Sequence, residues 1–455
     1  MGRVKKRKNS SKTLHEAAVV RESDSRLILS PSQHTRLLHG SEKARGYVFV
    51  AYADGGRWRE QAVRVADIPY VVEEFAGRAD VYLTQNRFYG RRRRIVWLGQ
   101  LGANFVDLDY HKTEYADRDP YTVLERALDL LAERGLPPPA FVVFSGRGLQ
   151  LVWLHTPVPR RALPRWNAVQ TELCQALEEL GADYAARDAT RVLRLVDTVN
   201  SRSGKRVFGE IISGHVWPFD RLADEVLPLT RAEIYDLRIR RALKGRRVVV
   251  PPGDFSAATL WEARLSDLMK LLELRGQKKL PPGQRDHWLF LAGVAMSWLA
   301  VSFESFYREL VTLAQMVGSW TERESRSRFH ALYRRLRMYF AGERIEYNGV
   351  PIDPRYRFRN ETIIEWLRIT PEEQRQLSTI WSEEVRREKD RQRHEEARRE
   401  AGMVPREEYL ARAEERRRKA LELWEQGLTQ KKIAEILGVT QQAVSEMLRE
   451  KKDTP

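Results

Sequence analysis

Phe105-Val106-Asp107-Leu108-Asp109-Tyr110 is the stretch whose reading decides the fold. Four apolar or aromatic residues surround two aspartates, and the alternation is that of a β-strand. Side chains in a strand point to opposite faces in turn, so Asp107 and Asp109 are expected on one face. Two carboxylates side by side repel each other and raise each other's pKa. A bound divalent cation removes that conflict, and hard cations such as Mg²⁺ or Mn²⁺ favour carboxylate oxygen. An edge strand with two solvated aspartates is the plainer alternative.

The surroundings alternate between strands and helices. Residues 47–52 and 80–84 are β-rich. Asp119 followed by Pro120 starts a helix whose Val123, Leu124, Ala127, Leu128 and Leu131 recur at helical spacing, closed by Gly135. Residues 141–144 and 149–154 are strands joined by Ser145-Gly146-Arg147-Gly148, a turn whose N–H groups, hydroxyl and guanidinium suit phosphate oxygens. A helix is expected over 166–180, ending at Gly181, and a last β-rich run over 207–212. The fold class is α+β, a sheet with helices on it.

Beyond Pro251-Pro252-Gly253 the pattern is helical. Residues 288–299 carry Leu291, Ala292, Ala295, Trp298 and Leu299 at helical spacing. Thr321 with Glu324, and Thr370 with Pro371 and Glu373, read as capping boxes. From 386 to 400 almost every residue is charged, with mixed signs, as in a solvated helix. The expected organisation is a basic flexible arm over 1–44, a catalytic domain over 45–245, a helical accessory domain over 246–385, a charged helical linker over 386–415 and a terminal domain over 416–455.

That terminal domain reads as a helix-turn-helix. Leu421, Leu423 and Trp424 lie on a first helix ending at Gly427. Thr429 caps a second with Ile433, Ala434 and Leu437, and Gly438 breaks it. Thr440 caps a third with Ala443, Val444, Met447 and Leu448 facing inward. Small Ala434 lets two helices cross closely, and Gly438 can take the positive φ of the turn. The third helix would offer Thr440, Gln441, Gln442 and Ser445 to base edges, with Lys431, Lys432 and Arg449 on phosphates.

Composition agrees with a polyanionic partner. The 455 residues carry a formal charge of +16, with a pI near 9.9. Binding that neutralises phosphates releases counterions. No apolar run approaches the ~18 residues that span a bilayer, so a membrane partner is not expected and the compartment reads as cytoplasmic, at the nucleoid. Cys174 is the single cysteine, which excludes an intrachain disulfide and a cysteine zinc site; it is expected in the core of its helix. Arg91 to Arg94 form a basic run where a template could pass, and His111 follows the aspartates closely.

Further on, Asp183 and Asp188 precede Arg191-Val192-Leu193-Arg194-Leu195, then Asn200, Arg202 and Lys205. One of these aspartates could complete a metal site, and Arg194 and Lys205 could meet a triphosphate. The order Val-Asp-Leu-Asp, Ser-Gly-Arg-Gly-Leu-Gln-Leu-Val-Trp, then Asp…Arg-Val-Leu-Arg-Leu…Thr-Val-Asn-Ser-Arg-Ser-Gly resembles the archaeo-eukaryotic primase superfamily, in particular the replication primases of plasmids and mobile elements. The resemblance covers roughly residues 80–212. It implies an RRM-like catalytic sheet in which Asp107 and Asp109 ligate metal and Asp183 fills the third acidic position, with Asp188 as second choice. Ser145, Arg147 and Gln150, with Arg194, Asn200 and Lys205, would meet the nucleotide.

The sequence departs from that pattern twice. Gln150 stands where many members carry His, and Gln supplies neither a cation nor a transferable proton. Val196-Asp197-Thr198 replaces a Pro-Gly-Thr turn. The implied activity is primer or DNA synthesis on a single-stranded DNA template from nucleoside triphosphates with Mg²⁺ or Mn²⁺, the helix-turn-helix recognising a duplex origin site. The alternative class is an initiator that binds DNA without catalysis; a third is a metal-dependent nuclease, which would need metal alone, or a resolvase-type recombinase, whose serine nucleophile with arginines nothing near the start resembles. Ser203-Gly204-Lys205 is no P-loop, so a helicase would be a separate partner.

Overall fold

The computed structural model of the protein describes residues 28–40, 44–230, 233, 256–276, 280, 283–347, 350–400 and 406–449. The described chain forms two compact units, Met1–Ile380 and Trp381–Pro455.

Among the described residues of the first unit, ten strands share one sheet. They are β1 (Tyr47–Asp54), β2 (Arg57–Arg64), β3 (Val81–Thr84), β4 (Arg87–Phe88), β5 (Leu98–Leu108), β6 (Phe141–Phe144), β7 (Leu149–Pro159), β8 (Val192–Arg194), β9 (Phe208–Ile211) and β10 (Val216–Trp217). The order is β8-β3-β1-β4-β5-β7-β6-β9, with β2 paired to β1 and β10 to β7. All the neighbours are antiparallel except β10 with β7. The long β5–β7 pair sets Asp107 opposite Gln150.

The expected helices are present with shifted ends. Asp119 caps Pro120–Glu133 by accepting from the Tyr121 N–H, and Gly135 follows with φ 67°. The helix expected from 166 begins earlier, as Leu163–Ala176, and passes through a short 3₁₀ turn to Gly181. Cys174 is buried in it as expected, and burial pushes its thiol up to about 12.

One expectation fails at the start of the chain. The basic run 1–12 lies outside the described residues, but the remainder of the proposed arm holds the helix Pro31–His39. Ser30 and Gln33 form its capping box, Leu29 donates to the Gly209 carbonyl at 2.9 Å, and His34 packs edge-on against Phe141 at 5.4 Å. Burial pushes His34 and His39 down to about 3. Neutral imidazoles serve here as core residues, so a stretch that looks polar covers the sheet.

A second correction concerns the decisive stretch. β5 ends at Leu108, and Asp109 (φ −85°, ψ 48°) already leads into a 3₁₀ turn over Tyr110–Lys112. The two aspartates therefore flank the strand's end rather than alternating within it.

The helical region belongs to the same compact unit as the sheet. Its helices are Ala257–Leu274, Arg285–Ser297, Phe303–Gly318, Glu322–Arg328, His330–Phe340, Asn360–Leu367 and Pro371–Gln376. Both expected capping boxes form, and Leu291, Ala292, Ala295, Trp298 and Leu299 are buried. The Pro251-Pro252-Gly253 junction lies outside the described residues. The region docks on the sheet through partly buried polar ties. Arg160 pairs with Glu262 at 3.0 Å, Asn167 donates to the Leu299 carbonyl at 3.1 Å, and Arg187 to that of Val301 at 3.0 Å. Buried Asp267 accepts from the N–H groups of Ser378, Thr379 and Ile380, holding the unit's last turn.

The outer edge of β5 shows how the site is positioned. β4 pairs only with its start. Asn86 Oδ1 then accepts from Gly102 N–H at 2.9 Å, and the Gln170 carboxamide takes both the N–H and the carbonyl of Phe105. Buried backbone groups left without partners are costly. Gln170→Leu is therefore expected to destabilise the first unit by roughly 1–3 kcal/mol, read as a lower urea midpoint; an unchanged midpoint would contradict this reading of the edge.

Candidate active site

Past Gln170, the edge of β5 is closed by a returning segment. Asp109 N–H donates to the Gly181 carbonyl at 2.9 Å, and Asp183 N–H to the Asp107 carbonyl at 2.8 Å. Gly181 has φ 75°, and a Cβ there would stand 3.0 Å from the Asp109 carbonyl oxygen. Only glycine fits this approach without strain. The ladder thus carries a third carboxylate, Asp183, to the Asp107–Asp109 pair.

The cluster's electrostatics follow. Burial, then the charges of Asp109 and Asp183, push Asp107 up to about 7 from an ordinary 3.8, against a Gln150 hydrogen bond and the Arg191 charge. Gln150 is buried, bonds Asp107 with its side chain, and accepts from the Arg194 N–H at 3.2 Å. Lys112 Nζ sits 2.5 Å from Asp109 Oδ2, and its pKa is raised by that bond first and also by the charges of Asp183 and Asp107. An ammonium is thus drawn into the field of all three carboxylates. His111 Nδ1 lies 3.9 Å from Asp109 Oδ1. Among the described residues no three His, Cys, Asp or Glu side chains converge tightly enough to enclose a metal ion as they stand.

Asp188 is spent differently. It accepts from the Thr190 hydroxyl at 2.6 Å and pairs with Arg191 at 2.8 Å. It lines the same cavity, of about 630 Å³, as Asp107 and Asp183. The sheet side of that cavity adds Trp58, Glu60, Tyr82, Arg93 and Arg94; Tyr307, Arg308 and Glu309 line it from the helix Phe303–Gly318. Glu309 accepts from Ile95 N–H at 3.1 Å. Burial pushes it up to about 7, against the Arg94 charge. Within the basic run, Arg93 and Arg94 face this cavity while Arg91 and Arg92 are exposed.

The residues expected on phosphates divide. Ser145 spends its hydroxyl on its own turn, donating to the Gly148 carbonyl at 2.9 Å and accepting from the Gly148 N–H. A Cβ on Gly148 would collide with the Leu108 carbonyl oxygen, so this turn abuts the end of β5. Asn200 is buried and ties the turn to the 200–205 loop, donating to the Ser145 carbonyl at 2.7 Å. Arg194 is buried, paired with Asp80 at 3.0 Å and set 4.9 Å over Tyr82. Arg147 is half-buried and Lys205 exposed, on the two segments that Asn200 ties together.

Trp58, Tyr82, Lys112 and Glu309 were not singled out from sequence. The Gly55-Gly56 turn signals the hairpin that carries Trp58; nothing local marks the others.

In the second unit, Ala420, Ile433, Ala434 and Val444 are buried together, with Leu423, Leu428, Leu437, Val439, Met447 and Leu448 packed on them. The helices are Arg406–Glu425, Gln430–Leu437 and Gln441–Arg449, with Gly438 left-handed at φ 63°. The Thr440 hydroxyl accepts from the Ala443 N–H at 3.3 Å, capping the third helix as expected, whereas Thr429 makes no side-chain cap bond. Trp424 is exposed, and Ala420 takes the inward place on the first helix. Thr440, Gln441, Gln442, Lys431, Lys432 and Arg449 are exposed and Ser445 is half-buried. The charged run forms the helix Glu383–Glu400.

Fold and site together define a class: an α+β protein with an acidic cavity, joined to a DNA-binding helix-turn-helix. Residues 411–452 match the homeodomain-like domain family. Over 304 residues the chain is 31% identical to a replication protein of Clostridium perfringens, covering 67% of this chain and 68% of that protein, and it belongs to that replication-protein family. Two of the solved structures similar to it are the primase-polymerase domain of cyanophage S-2L (17% identity, TM-score 0.31, 43% of this chain and 95% of that one) and the primase RepB' (15%, 0.29, 69% and 99%). A third is the catalytic domain of RepB' with initiator DNA (16%, 0.28, 48% and 98%). Among the described residues no helix is long and apolar enough to cross a membrane.

The Glu309 carboxyl gives the site a pH signature. Its folded pKa is raised above the ordinary 4.5 to about 7, so its ionisation costs stability as pH rises through that window. Glu309→Gln is expected to stabilise the first unit at pH 8, by on the order of 1–3 kcal/mol, and to change little at pH 4. Equal effects at both pH values, read by thermal unfolding, would contradict the assignment.

Proposed function

We propose that this protein synthesises primers or DNA on a single-stranded DNA template by metal-dependent nucleotidyl transfer, as the replication protein of a plasmid or other mobile element. The observation that carries the reading is the backbone pairing that brings Asp183 to Asp107 and Asp109. The donor set is all carboxylate, which suits a hard cation, and the Lys112 ammonium already answers its field. Asp107, Asp109 and Asp183 would hold Mg²⁺ or Mn²⁺, which would supply activation of the primer 3′-hydroxyl and neutralisation of the leaving pyrophosphate.

The chain's own residues position the rest. Gln150 is bonded to Asp107 and to the backbone of β8, so it orients the carboxylate. Arg147 and Lys205, on adjoining loops tied by Asn200, are suited to the triphosphate of the substrate. Ser145 contributes by fixing its turn. Arg91 and Arg92, exposed, suit the template backbone. Residues 45–245 would form the catalytic domain and 246–385 the accessory helices that close the cavity. The second unit would recognise a duplex origin through Thr440, Gln441, Gln442 and Ser445, with Lys431, Lys432 and Arg449 on phosphates. Strand separation would come from a separate helicase.

One observation favours the second reading, an initiator that binds DNA without catalysis. Gln150 stands on the strand opposite Asp107, where the resemblance calls for His, and it can move no proton. Template-directed synthesis with Mg²⁺ or Mn²⁺ decides between the two. Wild type should extend, while Asp107→Asn/Asp109→Asn should lose at least ~10³-fold of the rate and keep duplex binding. No product from folded, DNA-binding wild type would favour the second reading. Truncation after residue 380 should do the converse, sparing synthesis on single strands and abolishing site-specific duplex binding; normal duplex binding by the truncated chain would remove the role given to the second unit.

A further inference from the structure

The mouth of the acidic cavity carries an aromatic surface with no part in the proposed metal or triphosphate contacts. β1 and β2 form a hairpin turned by Gly55 and Gly56, both at positive φ (55° and 77°), with Asp54 paired to Arg57 and Ala53 to Trp58. Such a turn matches the right-handed twist of the strands. The outer strand β2 is polar along its exposed length, Arg57, Arg59, Glu60 and Gln61, except for Trp58, which is 52% exposed. Trp58 is not needed to cover a core.

Its placement is nevertheless constrained. The indole N–H donates to Glu60 Oε1 at 3.2 Å, and Arg93 bonds that same carboxylate while donating to the Thr190 carbonyl at 2.7 Å. The ring leans on Tyr82 at 5.5 Å and 50°, and Tyr82 is backed by Arg194 at 4.9 Å, itself paired with Asp80. The polar atom of the indole is thus satisfied, its orientation is fixed, and its apolar surface stays in water. Trp58 and Tyr82 line the same cavity as Asp107 and Asp183. Across it stands Arg308, exposed and without an ion-pair partner among the described residues.

We propose that Trp58, braced by Tyr82, is a stacking platform for a nucleobase at the mouth of the acidic cavity, with Arg308 serving the attached phosphate. A planar, uncharged ring joined to an anion is the ligand that matches an exposed indole, a second aromatic and an unpaired guanidinium around one cavity. An apolar peptide would match the indole alone. The base could belong to the template strand or to the incoming nucleotide; the chemistry is shared, and the test separates them. The inference rests on the reading of the cavity as a nucleotidyl-transfer site, but it is tested by binding without turnover.

Full-length wild type, Trp58→Ala, Trp58→Leu and Trp58→Tyr would be titrated with a fluorescein-labelled oligothymidylate, with an abasic oligonucleotide of equal length, and with dATP and Mg²⁺. Base stacking on an aromatic side chain implies a loss of ~10-fold or more for Trp58→Ala and Trp58→Leu, with Trp58→Tyr restoring most of it. Loss confined to the oligothymidylate assigns the platform to the template, and loss confined to dATP assigns it to the incoming nucleotide. The abasic strand should bind all four proteins alike. Unchanged affinity of Trp58→Ala for both base-bearing ligands, rescue by Leu, or an equal loss on the abasic strand would overturn the proposal. Wild type that binds bases through Trp58 yet makes no product would instead defeat the proposed function and leave the platform standing.

Discussion

β5 has to be hydrogen-bonded along both edges, and its sheet partner on one side is only two residues long. Everything at the acidic centre follows from how that shortfall is met. Asn86 and Gln170 lend side chains to the exposed backbone groups, and then the chain itself returns at Gly181 to complete the ladder. The returning segment delivers Asp183. A requirement of backbone satisfaction thereby assembles like charges that would otherwise separate. Burial first, and then that repulsion, push Asp107 up to about 7, and the Lys112 ammonium is held on Asp109.

The same sheet edge explains the cavity's other wall. Glu309 takes the Ile95 N–H just before β5 begins, so the helical region is fastened to the strand that bears the carboxylates. The two regions form one compact unit, while the helix-turn-helix packs around its own small core of Ala420, Ile433, Ala434 and Val444. Two units with separate cores can be altered independently. That separation is what makes a division of labour between them testable by truncation.

Much of this was legible in the residues. Asp119-Pro120, Thr321 with Glu324 and Thr370 with Glu373 mark helix starts, and each cap forms as local chemistry requires. The helix-turn-helix is readable because its spacing is set within about thirty residues. What escaped depends on distant partners. β2 is solvated along most of its length and shows no alternation of burial. The helix Pro31–His39 hides its core contacts in histidines, whose neutrality comes only from being buried. Arg194 looked available for a phosphate, but Asp80, more than a hundred residues earlier, holds it. The resemblance put Asp183 in the third acidic position, with Asp188 as second choice. The ladder brings Asp183 to Asp107, its Oδ1 accepting, among the described residues, only from the Ala185 N–H at 2.8 Å, whereas Asp188 holds both the Thr190 hydroxyl and the Arg191 guanidinium.

The measurement that bears most directly on the acidic centre is Mn²⁺ binding, followed by electron paramagnetic resonance on the full chain without nucleotide. The account predicts that wild type takes up Mn²⁺, that Asp183→Asn loses it by at least ~10-fold in affinity, and that Asp188→Asn retains it. Binding that survives Asp183→Asn but vanishes in Asp188→Asn would contradict the Asp107–Asp109–Asp183 cluster and move the metal to the other aspartate.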